Sequence, residues 1–225
     1  MIKSFKSLTK TELIIWSASV AVVLVSNIIA GTEPITLSAT LVGVTSLIFI
    51  AKGNVVGQFL TVVFSVLYAI TSYRMRYYGE MITYLGMTLP SAVFAAISWI
   101  RHPYKKGEVK ISKMTPLKAV VMVLFTAAAT ALFYFIMKAL DTPNLAVSTL
   151  SIATSFLASY LTFIRNSYYA VAYAVNDIVL IILWILAAIG DISYLPMIFC
   201  FAMFLINDIY GFISWKKREI SQGLK

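Results

Sequence analysis

Charged residues are scarce in this chain. Asp, Glu, Lys and Arg make up 12% of its 225 residues, against roughly 25% in an average soluble protein. Apolar residues make up 60%, and the mean hydropathy is +0.89. A soluble protein of this composition would lack the polar surface needed to cover itself. The composition therefore excludes an ordinary soluble fold and indicates a membrane protein.

Residues with reactive side chains are also few. Cys200 is the only cysteine, so no intrachain disulfide can form, and we expect it to pack as a small apolar residue. His102 is the only histidine, and the sequence lacks HExxH, paired-cysteine and phosphate-binding-loop motifs. These absences disfavour an enzyme and an ATP hydrolase. No metal or other cofactor is expected.

The net charge of +9 does not indicate a nucleic-acid partner. The 18 Lys and Arg residues lie mostly in short loops and tails rather than along one helical stripe. We therefore expect lipid, and not nucleic acid, around this chain.

Eight apolar segments are long enough to cross a membrane, since a span needs about 20 residues at ~1.5 Å each. Turn or charge signals separate them. The segments cover residues 12–30, 36–51, 55–73, 80–100, 117–138, 145–164, 167–189 and 193–214. The first is too long for a signal peptide and is interpreted as a retained helix. The predicted fold class is an all-α polytopic membrane protein with eight transmembrane helices.

The distribution of basic residues predicts the orientation. If the N-terminus is cytoplasmic, fifteen Lys and Arg residues lie inside, and only Arg74, Arg76 and Lys138 lie outside. This is a strong positive-inside bias. We expect a bacterial inner-membrane protein with both termini in the cytoplasm.

A three-helix unit occurs twice in the chain. Five residues recur 116 positions later in a second apolar segment: Tyr78, Met81, Ile82, Ser98 and Trp99 recur as Tyr194, Met197, Ile198, Ser214 and Trp215. Three-helix units have the same orientation only if one more helix lies between them, which predicts a 3+1+3 arrangement of parallel repeats, as in SWEET transporters. The predicted regions are 1–35 (tail and peripheral helix), 36–101 (first repeat), 102–144 (basic loop and linker helix), 145–217 (second repeat) and 218–225 (tail).

Polar side chains inside the segments fall on continuous helical faces. In segment three they recur at steps of three and four, and segment seven repeats the pattern. Hydrocarbon does not accept such faces, so we expect them to line one cavity between the repeats and to bind a small molecule. The candidate substrate-binding residues are Asn54, Gln58, Thr61, Tyr84, Thr88, Tyr169, Tyr173, Asn176, Asp177, Trp184, Asn207 and Tyr210.

Other residues in the spans allow two interpretations. Asp177 lies deep enough to contact a substrate hydroxyl, to form part of a gate or to carry a coupled proton, whereas Asp208 is expected to reach the interface or pair with a Lys. Five polar residues of segment six are expected to serve helix packing: Ser148, Ser151, Ser155, Ser159 and Thr162. Trp99 and Trp215 end their spans beside basic residues, which is typical of interfacial anchors.

Three motifs occur in a fixed order: Tyr-Gly-Glu-Met-Ile at 78–82, Ala-Ile-Ser-Trp at 96–99 and Ile-Tyr-Gly-x-x-Ser-Trp at 209–215. With the span count, they resemble the PnuC-type vitamin transporters over residues 36–217. The best-known members of that family carry nicotinamide riboside. The resemblance implies facilitated diffusion of an unphosphorylated vitamin or nucleoside, trapping by a cytoplasmic kinase, and a homotrimer.

One family motif is incomplete in this chain. Family members commonly have Trp-x-x-Trp-x-x-x-Asn at the start of the penultimate helix, where this sequence has Tyr169, Ala172 and Asn176. The Asn matches and both tryptophans are replaced, so the ligand stays open. Alternatives are another nucleoside, thiamine or riboflavin, and a proton-coupled symporter. A SWEET-type sugar transporter is disfavoured because neither of the two Gln residues follows a Pro, and a rhodopsin because segments six to eight lack a Lys.

Overall fold

The computed structural model describes residue 5 and residues 7–224, apart from the side chain of residue 106. In this part of the chain, eight helices are long and apolar enough to cross a membrane. They are α1 (Lys10–Ala30), α2 (Pro34–Ala51), α3 (Val56–Arg74), α4 (Tyr78–Arg101), α5 (Pro116–Ala139), α6 (Leu145–Phe163), α7 (Tyr169–Ala188) and α8 (Leu195–Ser221). The described residues form no β-strand, only two isolated bridges. The predicted all-helical class and the eight segments are confirmed.

The helix ends have local causes. Thr9 and Glu12 form a capping box at the start of α1, and Gly31 ends that helix in the left-handed conformation, with φ of 61°. Pro34 and Pro116 stand in the first turns of α2 and α5, where a missing backbone N–H is not needed. Turn and capping residues are local signals, so the predicted boundaries agree with the structure to within a few residues, except at the end of α8.

Six helices surround one centre. α2, α3 and α4 pack against one another in sequence order, and so do α6, α7 and α8. α4 also contacts α6, and α8 contacts α2. α1 lies against α2 and α8, whereas α5 lies against α6 and the first turns of α4. In α5 only Phe133 and Met137 are buried, so most of its apolar surface faces outward.

The loops form two opposite faces. Loops 52–55, 102–115 and 164–168 meet the end of α8 at one face, which we call the basic face. There the backbone N–H of Val109 donates to Gly53, and that of Ser112 donates to Arg165. The other face carries loops 31–33, 75–77, 140–144 and 189–194, joined in part by the hydrogen bond from Tyr194 Oη to the Met75 carbonyl. Lys3, Lys6 and Lys225, which enter the charge count above, lie outside the described residues.

The turns α2–α3 and α6–α7 have the same geometry. Gly53 and Arg165, 112 positions apart, both have positive φ (69° and 60°). The next residue is an Asn in each turn, and its Oδ1 accepts a backbone hydrogen bond two residues on, at 2.9 Å for Asn54 and 3.0 Å for Asn166. Asn54, expected in the cavity, thus caps the start of α3.

Trp99 and Trp215 are not interfacial anchors. They are 2% and 0% exposed, and their ring centroids lie 5.4 Å apart between the two groups of three helices. Trp99 Nε1 donates to the Thr162 carbonyl at 3.0 Å, and Trp215 Nε1 donates to the Ile50 carbonyl at 2.9 Å. The expectation was wrong because position along a helix does not reveal which way a side chain faces. Each tryptophan joins the last helix of one group to the first helix of the other.

A π-helical turn interrupts α4 at Tyr84–Thr88. Pro90 follows it and has no backbone N–H to continue the α-helical ladder. The widened turn ends with the Leu89 N–H donating to the Tyr84 carbonyl. Such turns often occur at functional sites. Here the turn lies at the centre of the molecule and presents Tyr84 and Thr88 to the cavity described next.

Candidate substrate cavity

A cavity lies at the centre of the six helices. It is lined by Ser46, Leu47 and Ile50 of α2, Gln58, Thr61 and Phe64 of α3, Tyr84, Thr88, Ser91, Ala92 and Ala95 of α4, Ser155, Ser159 and Thr162 of α6, Tyr173, Asn176 and Asp177 of α7, and Phe201, Phe204 and Asp208 of α8. α1 and α5 contribute no lining residue. The cavity is small. Its volume is about 50 Å³, which leaves room for a few water molecules. A vitamin-sized ligand therefore requires the helices or side chains to separate.

Three buried polar atoms of the cavity lining have no hydrogen-bond partner. They are Nε2 of Gln58, Oγ1 of Thr88 and Oδ2 of Asp177, on residues that are 2%, 8% and 2% exposed. Asn176 is held in place, because its Oδ1 accepts a 2.8 Å hydrogen bond from Thr154 Oγ1. An unpaired buried polar group is unfavourable by about 1–3 kcal/mol. The cavity therefore has donors and acceptors that a polar ligand would satisfy.

Two carboxyl groups meet in the cavity. Asp177 on α7 and Asp208 on α8 are 2% and 3% exposed, and both line the cavity. The expectation that Asp208 reaches the interface or pairs with a Lys was wrong. It was based on the short distance from Asp208 to the helix end, whereas the side chain faces the centre. No Lys, Arg or His is among the lining residues.

Aromatic rings form the apolar wall of the cavity. The Phe64 centroid lies 5.8 Å from that of Tyr84 and 5.5 Å from that of Phe204, both edge to face. Gly43 of α2 allows this packing, because a Cβ there would lie 2.7 Å from Phe204 Cζ and 3.0 Å from Phe64 Cε2. The cavity thus combines flat apolar surfaces with a few polar groups, as small-molecule sites do.

An aromatic layer closes the cavity toward the face opposite the basic one. It consists of Tyr68, Tyr77, Trp184 and Tyr194, which we call the outer layer. Trp184 Nε1 donates to Tyr68 Oη at 3.0 Å, and the Trp184 centroid lies 4.9 Å from that of Tyr77 and 5.8 Å from that of Tyr194. Burial raises the pKa of Tyr77, so its hydroxyl stays neutral.

A second aromatic layer closes the cavity toward the basic face. It consists of Trp99, Tyr169 and Trp215, which we call the inner layer. Tyr169 and Trp215 are fully buried, with ring centroids 4.7 Å apart. Both layers are packed, and each lies between the cavity and one face.

Seven of the twelve candidate residues line the cavity: Gln58, Thr61, Tyr84, Thr88, Tyr173, Asn176 and Asp177. The structure places the other five outside the lining. Asn54 caps α3, Trp184 belongs to the outer layer and Tyr169 to the inner layer. Asn207 Nδ2 donates to Ser19 Oγ of α1 at 3.0 Å, and Tyr210 lies near Glu12 and Arg218 at the basic face.

The lining also contains residues that the sequence analysis assigned elsewhere or omitted. Ser155, Ser159 and Thr162 were assigned to helix packing, although their steps of four and three match those of the polar residues on α3. That periodicity was the available signal. Phe64 and Phe204 had none, because an aromatic residue facing a cavity has the same sequence pattern as one facing the core.

Comparisons with known proteins identify the family. The model of the nicotinamide mononucleotide transporter family matches residues 33–217. Two curated relatives named nicotinamide riboside transporter PnuC come from Neisseria mucosa and Haemophilus influenzae. They are 25% and 23% identical over 186 and 179 residues, covering 80% and 78% of this chain and 70% and 76% of the relatives.

A solved structure has the same fold. A crystal structure of the vitamin B3 transporter PnuC superposes with a TM-score of 0.81 at 22% identity, covering 94% of this chain and 92% of the other. The matched structure covers nearly all of the chain, including the eight apolar helices, and the family model covers residues 33–217. This protein belongs to the nicotinamide mononucleotide transporter family and is a multi-pass membrane transporter, not an enzyme.

Proposed function

We propose that this chain carries nicotinamide riboside across the bacterial inner membrane by facilitated diffusion, and that a cytoplasmic kinase traps the product. The observation that carries the proposal is the central cavity, which has unpaired polar atoms and aromatic walls. Both curated relatives are named for nicotinamide riboside. A riboside has hydroxyl and carboxamide groups that would hydrogen-bond to the unpaired polar atoms of the cavity. Its flat ring would pack against the aromatic walls.

The charge of the cavity favours the riboside over the mononucleotide in the family description. A phosphate group needs cationic or multiple N–H partners to leave water. The lining has two carboxyl groups and no Lys, Arg or His. A mononucleotide would therefore place its phosphate beside two carboxyl groups without a cationic partner.

The cavity residues divide by chemistry. Gln58 and Asn176 supply amides on opposite sides of the cavity, from α3 and α7. Tyr84 and Tyr173 supply rings with a hydroxyl, which suits a ligand that is both flat and polar. Thr61, Thr88 and Asp177 would contact the ribose hydroxyls. Trp184 and Tyr169 act through the two aromatic layers. Asn54 caps α3, and Asn207 hydrogen-bonds to α1. Tyr210 lies at the basic face.

The two aromatic layers suggest how access alternates. In this proposal, helices 2–4 and 6–8 are two parallel repeats related by an axis along the membrane normal, flanked by the peripheral α1. The helix–helix contacts support this proposal, because each contact of the first repeat has a counterpart in the second. The α2–α3 contact corresponds to α6–α7, α3–α4 corresponds to α7–α8, and α4–α6 corresponds to α8–α2. Separation of the repeats at one layer would open the cavity to one side only. The basic face, including both termini, would be cytoplasmic.

The assembly is proposed to be a homotrimer, as the resemblance implies. α5 supports an outward-facing role, since only two of its residues are buried within the chain. Its exposed side chains include Val123, Leu124 and Phe135. The helix would contact either lipid or another copy, and neither role involves the cavity.

Proton symport is the second candidate mode, and the presence of Asp177 and Asp208 in one buried cavity favours it. A carboxyl group there can bind and release a proton inside the membrane, and such a proton can be coupled to transport. Facilitated diffusion is preferred because it needs no driving ion.

Ligand-induced thermal shifts of the purified protein test the proposed function. A ligand that binds only the folded state raises its stability by RT ln(1 + [L]/Kd). Nicotinamide riboside should raise the Tm, and nicotinamide mononucleotide should not. Other nucleosides, thiamine and riboflavin complete the panel. A shift with the mononucleotide that equals the shift with the riboside would contradict the assignment.

A further inference from the structure

We infer that the cavity selects a substrate with a fixed positive charge on a planar ring. The inference rests on the proposed function, because it names the charge class of the molecule that the same cavity binds. It is carried by the carboxyl pair, by unpaired polar atoms beside that pair, and by aromatic rings in the wall.

The carboxyl pair makes the cavity a site for negative charge. Asp177 and Asp208 are both nearly fully buried and line the same cavity. Ionisation of either carboxyl group would place a negative charge there, with no cationic side chain in the lining. In a medium of low dielectric constant an uncompensated charge is strongly unfavourable. A monovalent cation in the cavity would neutralise it.

No Lys, Arg or His lines the cavity beside this pair. The other lining side chains that can titrate are Tyr84 of α4 and Tyr173 of α7, and a tyrosine carries no positive charge. The lining residues from α2, α3 and α6 are uncharged. The basic residues of the described chain that line pockets, such as Arg218, lie at the basic face.

Two further observations indicate a ligand at this position. Asp177 Oδ2 and Gln58 Nε2 are buried and have no partner within the protein, and both residues line the cavity. The wall beside them contains Tyr84, Phe64 and Phe204. Aromatic faces attract cations, by about 2 kcal/mol or more where water is excluded. The charge of a flat cation would therefore attract the carboxylate, and the faces of its ring would pack against the aromatic rings of the wall.

The charge class divides the candidate vitamins. Nicotinamide riboside has a pyridinium ring and thiamine a thiazolium ring, and each ring carries one positive charge. Ordinary nucleosides and riboflavin are neutral. The cavity should therefore discriminate between two molecules of similar shape that differ by one hydride on the ring and hence in the charge of the ring.

The test compares nicotinamide riboside with its 1,4-dihydro form, which keeps the ribose and the carboxamide and has a neutral ring. Affinities would be measured by calorimetry on the purified full-length protein. The oxidised cation should bind about tenfold or more tightly than the neutral form, since a buried charge without its partner is unfavourable. Equal affinities in the parent protein would overturn the inference and leave the proposed function standing.

Variants test whether the carboxyl pair causes the difference in affinity between the cation and the neutral form. Asp177→Asn and Asp208→Asn should weaken binding of the cation by a larger factor than binding of the neutral form, so the ratio of the two affinities narrows toward one. Asn176→Ala is the matched control in the same cavity. It should weaken both ligands alike and leave the ratio unchanged. A ratio that persists in both Asp variants would overturn the assignment.

Two outcomes separate this inference from the proposed function. Tight binding of thiamine without nicotinamide riboside would support selection of cations and contradict the proposed substrate. Binding of a neutral nucleoside in preference to both cations would overturn the inference. If none of these ligands binds, the result contradicts both the proposed function and the inference.

Discussion

Gln58 should stabilise the loaded transporter and destabilise the empty one. Its Nε2 group is buried in the cavity wall and donates to no atom of the protein. Replacing it with Met keeps the length and volume of the side chain and removes the unpaired donor. Gln58→Met should therefore raise the stability of the empty protein and lower its affinity for the ligand.

Both effects have the same physical origin and similar size. A buried polar group without a partner is unfavourable by about 1–3 kcal/mol, and a ligand that satisfies it recovers a similar amount. The gain in stability corresponds to a Tm rise of about 2–4 °C per kcal/mol for a chain of this length. The loss in affinity corresponds to about tenfold for each ~1.4 kcal/mol.

Asn207→Leu provides the matched control. Asn207 is also a buried amide, but its Nδ2 donates to Ser19 Oγ at 3.0 Å and to the Met203 carbonyl at 2.7 Å. Its replacement should lower the Tm and leave the affinity unchanged. Thermal unfolding without ligand and calorimetric titration would measure the two quantities. A lower Tm together with an unchanged Kd in Gln58→Met would refute the reasoning, because the donor would then have a partner inside the protein.

Three other outcomes are expected. In a Cys200→Ala background, Asp191→Cys should react with an impermeant thiol reagent added outside intact cells, whereas Lys110→Cys should not; reversed labelling would reverse the proposed orientation. Trp215→Phe removes the 2.9 Å hydrogen bond to the Ile50 carbonyl and should lower stability by about 1 kcal/mol, seen as a lower Tm. In proteoliposomes, nicotinamide riboside should equilibrate without accumulating, and accumulation that follows a pH gradient would indicate symport instead.

The helices could be predicted from the sequence because their signals are local. Apolar length, proline at helix starts and left-handed residues at helix ends act within a few positions. The end of α8 departs from this rule. The apolar segment ends near 214, but the helix continues to Ser221, where Lys216 Nζ and Glu219 Oε2 form an ion pair at 2.9 Å. Hydropathy detects the part that crosses the membrane and not the part that extends beyond it.

The cavity could be predicted only in part, because its lining depends on how six helices face one another. Periodicity identifies a polar face on one helix but does not identify its neighbour. Asn207 shares the polar face of α8 predicted to line the cavity, yet its amide faces α1. Asp208, the next residue along, faces the centre and Asp177. A difference of one position on α8, about 100° of rotation, separates a packing contact from the site.

The incomplete tryptophan motif is consistent with this geometry. Two positions of the family pattern are Tyr169 and Ala172 in this chain, and both lie in a buried cluster at the inner layer rather than in the cavity lining. The Asn of the pattern, Asn176, does line the cavity. The rings that face the ligand space come instead from Phe64 and Tyr84 of the first group of helices, and from Tyr173, Phe201 and Phe204 of the second. The cavity therefore keeps an aromatic wall although both tryptophans of the pattern are replaced, and the rings of this wall come from other positions in the chain.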